Sequence, residues 1–342
     1  MKAAIFKEHG GPETIQIATV PDPKPDAGDV IVQVKACALN HLDLWVLKGG
    51  PAYPVGLPHV LGADVSGVIE AVGKGVSDLK RGQRVVIAPG VSCFQCDRCK
   101  AGQDNLCETY SILGAKLWGG YAEKVKVPAV NVFPIPDSLP FEEAAAFPLT
   151  FLTAWHMLVT RGGLKRWHYV LVVGASSGVG TAAIQIAKLH GAFVLATATS
   201  DEKLQQARAL GADAVVDSSK DSIAHVARAW TQKRGVDIVF EHVGPATWDQ
   251  SVGSLAPGGR LITCGATTGP EVKLDLRYVF SRELAILGAR MGTRAELHDI
   301  LSLIAAKKLR AKIAKTFPLA DVRAALEYME QRRHFGKIVL IP

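Results

Sequence analysis

The chain has 342 residues, 48% hydrophobic and 21% charged, the balance of a globular protein with apolar material for two cores and too much for a disordered one. Its 39 Lys and Arg against 32 Asp and Glu give a net charge of +7, yet the basic residues are scattered. Without a basic run or alternation with aromatics, nucleic-acid binding is not expected, and the modest positive field suits a polyanionic cofactor.

Residues 1 to about 130 read as short strands and turns. MKAAIF, VIVQVKACAL, SGVIEAVG and RVVIAPG are apolar or alternating runs divided by clusters such as PDPKPDAG, an all-β opening. The first residues carry charges at Lys2, Lys7 and Glu8 and no long apolar run, so no secretory leader is expected. No stretch reaches the roughly 18 apolar residues of a membrane span, so no membrane partner is expected. A cytoplasmic protein follows, with Cys37 and Cys264 as reduced core residues.

A polar loop after RVVIAP holds Cys93, Cys96, Cys99 and Cys107 at the spacing C-x2-C-x2-C-x7-C. Thiolates this close read as a tetrahedral zinc site. Four protein ligands fill all four positions, so one structural zinc per chain is expected, closed to substrate. Incidental cysteines or a pair of disulfides are the alternative reading.

From about residue 140 the texture changes. FEEAAAFPLTFLTAWHMLV is helical, with Pro148 bound to kink or interrupt it. YVLVVGA (169–175), FVLATAT (193–199), AVVDS, DIVFEHVG, GGRLITCGA and LAILGAR (284–290) then alternate with amphipathic segments such as TAAIQIAKLH and EKLQQARAL. That alternation predicts a doubly wound parallel sheet, hence an α/β chain. After about 291 come two more helical segments and a last strand, KIVLIP. The domains expected are 1–140 with 291–342, and 141–290.

The turn Gly174-Ala175-Ser176-Ser177-Gly178-Val179-Gly180 follows a strong strand and opens into a helix, which predicts a dinucleotide pyrophosphate site. NAD sites usually place an acid at the end of the second strand to hold the ribose. That strand ends Thr199-Ser200 with Lys203 a turn later, so a 2′-phosphate and NADP(H) are favoured over NAD(H). Asp201 speaks for NAD(H), although it suits the cap of the next helix. Thr199 and Ser200 could also be simple caps, and Lys203 a solvated charge. Val243-Gly244 and Gly265-Ala266 end strands at the carboxyl edge of the sheet, where such folds bind ligand.

The cysteine lobe, LGADVSGVIEAVG (61–73), the GASSGVG turn and HFGKIVL (334–340) together resemble the medium-chain dehydrogenase/reductase superfamily over essentially the whole chain. The resemblance implies a GroES-like β-rich catalytic domain joined to a Rossmann domain. In the zinc alcohol dehydrogenases of that superfamily, the catalytic metal positions match Asn40, Ala63, Asp64 and Leu149 here. Ala63 and Leu149 cannot ligate through their side chains, so the catalytic zinc is expected to be lost and the structural one kept. A rearranged site from Cys37, His41, His59 and Asp64 is the alternative.

The sequence also resembles the quinone oxidoreductase branch. By that resemblance Asn40 and Tyr53 polarise or protonate the substrate oxygen, and Asp43 orients its neighbours. The tyrosine expected at Trp45 is absent. Thr153 is implied near the nicotinamide and His41 within reach of the pyrophosphate. LAILGAR resembles the edge strand that pairs across a two-fold axis, implying a homodimer or, beyond it, a tetramer. The resulting expectation is an NADPH-dependent reductase of quinones or α,β-unsaturated carbonyls, an enoyl-CoA included, without catalytic zinc. A zinc alcohol dehydrogenase with unusual ligands is the second reading. An NADPH-binding redox sensor or nucleic-acid-binding protein is the third.

Overall fold

The computed structural model describes residues 1–50 and 53–342. It divides into two compact units, Met1–Leu149 with Thr293–Pro342, and Thr150–Gly292.

The first unit opens with β1 (Lys2–Phe6), β2 (Gln16–Thr19) and β3 (Asp29–Ala38), then helix α1 (His41–Lys48), β4 (His59–Val60), β5 (Asp64–Val72) and β6 (Arg84–Ile87). The cysteine lobe follows with β7 (Gly90–Val91), α2 (Asp97–Lys100) and β8 (Ser111–Ile112), and after it β9 (Lys124–Pro128) and β10 (Val132–Pro134). Helix α3 (Phe141–Ala146) stops where α4 (Pro148–Trp155) starts, as a proline at 148 requires. The two units part inside α4, beyond the boundary suggested by the change of texture near 140. The reason is that α3 lies on β3 and β5, and so belongs to the first unit.

The second unit runs β11 (Tyr169–Val172), α5 (Gly178–Leu189), β12 (Phe193–Ala198), α6 (Asp201–Ala209), β13 (Ala214–Asp217), α7 (Ile223–Trp230), β14 (Val236–Glu241), α8 (Pro245–Ser254), β15 (Leu255–Thr263), α9 (Leu276–Phe280) and β16 (Ala285–Gly288). Its six strands are all parallel, in the order β13-β12-β11-β14-β15-β16. Leu171, Val173, Leu195, Val239 and Leu261 fill one face of the sheet, and Val170, Val172, Val194, Ile238 and Phe240 between them are buried as well, so both faces are covered as parallel strands require. The chain then returns to the first unit with α10 (Arg294–Ala305), β17 (Ile313–Pro318), α11 (Val322–Glu330) and β18 (Lys337–Ile341).

One pairing positions the site. In the seven-stranded sheet of the first unit the order is β10-β6-β5-β3-β18-β17, with β9 also on β3. Antiparallel register puts Val339 of β18 opposite Ala38 of β3, and Ala38 opposite Asp64 of β5. Leu39 N–H continues the ladder by donating to Ile338 O at 2.9 Å. Carried on by the same register, Lys337 comes opposite Asn40. Three segments remote in sequence therefore end at one point.

Candidate active site

At that point lies a closed polar network inside an apolar core. Asn40 lies between β3 and α1, as the N-cap of α1; it is 6% exposed, Asp43 1%, Asp64 0% and Lys337 4%. The Lys337 ammonium donates to Asn40 Oδ1 at 2.5 Å and to Asp64 Oδ2 at 3.0 Å. Asn40 Nδ2 donates to the same Asp64 oxygen at 2.9 Å and makes a long 3.4 Å contact with Ala38 O. The other Asp64 oxygen accepts from the backbone N–H of Leu149 at 2.8 Å. Asn40, Asp64 and Leu149, three of the positions matched to metal ligands, thus belong to one hydrogen-bonded set, in which the Lys337 ammonium bridges Asn40 and Asp64.

Asp43, on the first turn of α1, accepts from Asn40 N–H and from the Tyr121 hydroxyl, each at 2.7 Å, and from Gly62 N–H at 3.3 Å. Burial pushes its carboxyl up to about 6, against the opposing pull of those donors. Gly62 sits at φ +104°, and a Cβ there would lie 2.5 Å from the Tyr121 ring and 2.8 Å from Cys37 Sγ. Glycine is thus required both by backbone conformation and by the close packing that brings Tyr121 to Asp43. Trp45, where the resemblance leads one to expect tyrosine, stacks on Tyr53 with centroids 6.1 Å apart, and His41 meets Trp45 edge-on at 5.1 Å. Partial burial raises the Tyr53 phenol above its ordinary value.

The alternative metal site from Cys37, His41, His59 and Asp64 does not assemble. His59 Nε2 is engaged with Gly114 O at 3.2 Å, and the Asp64 carboxylate with Lys337, Asn40 and Leu149. Among the described residues, the group of His, Cys, Asp or Glu whose ligand atoms converge is the four-cysteine lobe.

In that lobe the four Sγ atoms lie within 4.8 Å of one another, with Cys93 to Cys107 at 3.5 Å and Cys93 to Cys99 at 4.0 Å. A tetrahedral ion with Zn–S bonds of about 2.3 Å spaces its sulfurs about 3.8 Å apart, so the four thiols form a zinc site. Cys93 N–H donates to Cys107 Sγ, and the N–H groups of Gln95 and Cys96 donate to Cys93 Sγ. Burial opposes ionisation at Cys107, yet the Cys93 N–H and Thr109 outweigh it and bring that thiol down to about 6. Cys99 is pushed up to about 12 by burial and by its neighbours, as expected when adjacent thiols compete to ionise. All six cysteines are free, so the disulfide reading falls.

In the second unit, Gly174 takes φ +68° at the turn after β11. A Cβ on Gly180 would lie 2.4 Å from Gly174 O, so only hydrogen lets α5 begin this close to the strand. Ser177 caps α5: its hydroxyl donates to Gly174 O at 2.8 Å and accepts from Gly180 N–H at 3.0 Å. His242 Nε2 stands 3.2 Å from the same oxygen, and burial brings that imidazole down to about 4. With its own proton given to Gly174 O, the Ser177 oxygen can only accept from His242, which fixes the neutral ring with hydrogen on Nε2. Ala175, Ser176, Gly178 and Val179 complete the turn, whose N–H groups open α5.

Ser200 caps α6 by accepting from Lys203 N–H at 3.5 Å, and Thr199 is exposed. Asp201 is the first residue of α6, 81% exposed, one position past the Ser200 cap. Asp217, beside Ala198 in the β12–β13 register, is held down to about 2 by the Ser219 hydroxyl and then by Lys220. At the carboxyl ends of β14 and β15, the buried Glu241 carboxylate ties down the N–H groups of Val243 and Gly244 and the Thr247 hydroxyl. Gly265 and Ala266 follow β15, and Thr153 Oγ1 approaches Met291 Sδ at 3.7 Å.

Sequence reasoning did not single out Lys337, Tyr121, Glu241 or His242. The one available signal was a lysine heading an otherwise apolar final strand. Of the described residues, no helix is long and apolar enough to cross a membrane.

Residues 26–137 match the model of the alcohol dehydrogenase GroES-like domain, and 178–306 that of zinc-binding dehydrogenases. An alcohol dehydrogenase of Geobacillus stearothermophilus is 34% identical over 99% of each chain. An acryloyl-coenzyme A reductase of Metallosphaera sedula is 33% identical, again over 99% of each. A crystal structure of an NAD-dependent alcohol dehydrogenase is 46% identical, covers 100% of each chain and superposes with a TM-score of 0.96.

Proposed function

This chain is an NAD(P)-dependent oxidoreductase of the medium-chain zinc-type alcohol dehydrogenase superfamily, and we propose that within it the protein is an NADPH-dependent reductase of quinones or α,β-unsaturated carbonyls. Enoyl thioesters belong to that substrate class. The observation that carries the reading is the set Asn40, Ala63, Asp64 and Leu149, in which Asp64 and Asn40 are closed on Lys337.

Oxidising a plain alcohol asks for a base strong enough to deprotonate a hydroxyl, and a catalytic metal does this by lowering a bound oxygen from about 16 to about 7. An amide and a phenol do not match that. They suffice for an activated alkene or quinone, because the anion left after hydride addition is delocalised. The turn 174–180 would hold the pyrophosphate of NADPH, which would supply the hydride as a two-electron donor. As the new C–H bond forms at the β-carbon, the alkene pair moves toward the carbonyl oxygen. The second amide hydrogen of Asn40, held only by its long contact to Ala38 O, and the Tyr53 hydroxyl would stabilise that oxygen, and a proton delivered from solvent to the α-carbon would complete the product. Asp43 fixes the start of α1 from which Asn40 projects. The acryloyl-coenzyme A reductase relative supports an activated alkene as substrate.

For the cofactor, the Asp217 carboxylate is engaged by Ser219 and Lys220, and Thr199, Ser200 and Lys203, at the end of β12 and the start of α6, are the residues assigned to a 2′-phosphate. We also propose a homodimer formed through β16, the end strand of the parallel sheet.

The test follows cofactor absorbance with NADPH and with NADH against a quinone, an enone, an enoyl thioester and an aldehyde. Turnover of the first three is expected, with NADPH preferred. Turnover of the aldehyde alone would overturn the reading, and a preference for NADH the 2′-phosphate argument. Tyr53→Phe should lower kcat on the enone by about 10²-fold, and an unchanged rate would remove Tyr53 from the mechanism. The relatives named for alcohol oxidation favour a second reading, a zinc alcohol dehydrogenase with unusual ligands. Metal analysis separates the two, at about one zinc per chain for the first and about two for the second.

A further inference from the structure

Resting on that reading, we propose that Lys337 is a positioning residue: its buried ammonium fixes the orientation of the Asn40 amide at a site whose ligand positions no longer suit a metal. A lysine buried in an apolar core is strongly disfavoured unless it is paired, so filling space alone does not account for it. Here it is paired twice, with Asn40 Oδ1 and Asp64 Oδ2.

The chemistry of the partners leaves the amide one arrangement. An ammonium only donates and a carboxylate only accepts. Oδ1 must therefore face Lys337 and Nδ2 must face Asp64; the flipped amide would set N–H against ammonium and oxygen against carboxylate. One amide hydrogen is thereby committed to Asp64, and the other is left on the far side of the nitrogen with its 3.4 Å contact to Ala38 O. That second hydrogen is the one the proposed chemistry uses. The backbone is clamped from the opposite side, since Asn40 N–H is held by Asp43, itself held by Tyr121 and Gly62. Without Lys337 the amide loses the partner that selects its orientation, and Asp64 becomes a buried charge facing Asp43 with no cation beside it.

The experiment compares wild type with Lys337→Arg, Lys337→Met and the double variant Lys337→Met/Asp64→Asn, which removes both charges together and so keeps the fold testable. The readouts are thermal midpoint, zinc content, dissociation constant for NADPH, hydrogen exchange in residues 40–48, and kcat and KM on the enone. The double variant is expected to fold, bind NADPH as wild type does and lose about 10- to 100-fold in kcat, with exchange at the start of α1 at least about tenfold faster. Lys337→Arg should recover part of the kcat. A folded double variant with wild-type kcat and exchange would overturn the inference alone and leave Lys337 as a structural charge. A wild-type content of about two zinc ions per chain, the second lost in the double variant, would overturn the metal-free reading as well, because that ion would have taken Asp64 from Lys337.

Discussion

Asp43 shows how far burial alters a side chain whose identity is plain in the sequence. Its carboxyl is raised from 3.8 to about 6, first because it has left water. A folded value above the unfolded one means that the native state holds the proton more tightly. The stability contributed is therefore present below pH 4 and is lost as the pH rises through 6. Two units correspond to at most about 3 kcal/mol. Asp43→Asn cannot titrate, so denaturant unfolding should show it behind wild type at pH 4 and the gap narrowing toward pH 7 by up to that amount. A constant gap across this range would mean that Asp43 titrates normally. Asn40 and Asp43 were legible as candidates because their spacing matches a family pattern. The Lys337 contact was not, because it depends on a strand pairing that joins positions nearly 300 residues apart.

At the scale of an element, the cysteine lobe is almost entirely chemistry. Its secondary structure amounts to the four-residue α2, a single 3-10 turn and the two-residue strands β7 and β8, and Asn105 and Cys107 are its buried residues between 93 and 107. So little apolar burial cannot hold such a loop, and metal binding free energy must stand in for a core. Chelation should remove about one zinc per chain and open residues 92–110 to proteolysis, while the circular dichroism of the two units persists. Loss of all secondary structure on chelation would show instead that the lobe supports the whole first unit. Pro148 was equally readable, since a ring without an N–H interrupts a helix interior but can open a new one in its first turn. The handover from α3 to α4 follows directly from it.

For the whole molecule, the end of the parallel sheet is the feature that bears on assembly. β16 pairs with β15 on one side, and α9 just before it leaves Leu276 and Phe280 70% and 71% exposed. An edge strand beside exposed apolar side chains is a template for a second copy. Light scattering should give twice the chain mass for wild type and a single chain mass for Ile286→Lys combined with Phe280→Ser, with NADPH binding retained. A wild-type monomer would sink the two-fold arrangement.

The sequence alone determined the parts governed by local rules: the C-x2-C-x2-C-x7-C zinc lobe, the glycine turn leading into a helix, the strand–helix alternation of an α/β sheet and the break at Pro148. Each is a matter of spacing within a few residues, where backbone geometry and ligand chemistry act directly. Tertiary structure decided which groups gather beyond the end of β3. The register of β5, β3 and β18 brings Asp64, Asn40 and Lys337 together in a medium where an unpaired charge is not tolerated, and so a lysine that reads as an ordinary strand residue becomes the cation of the site.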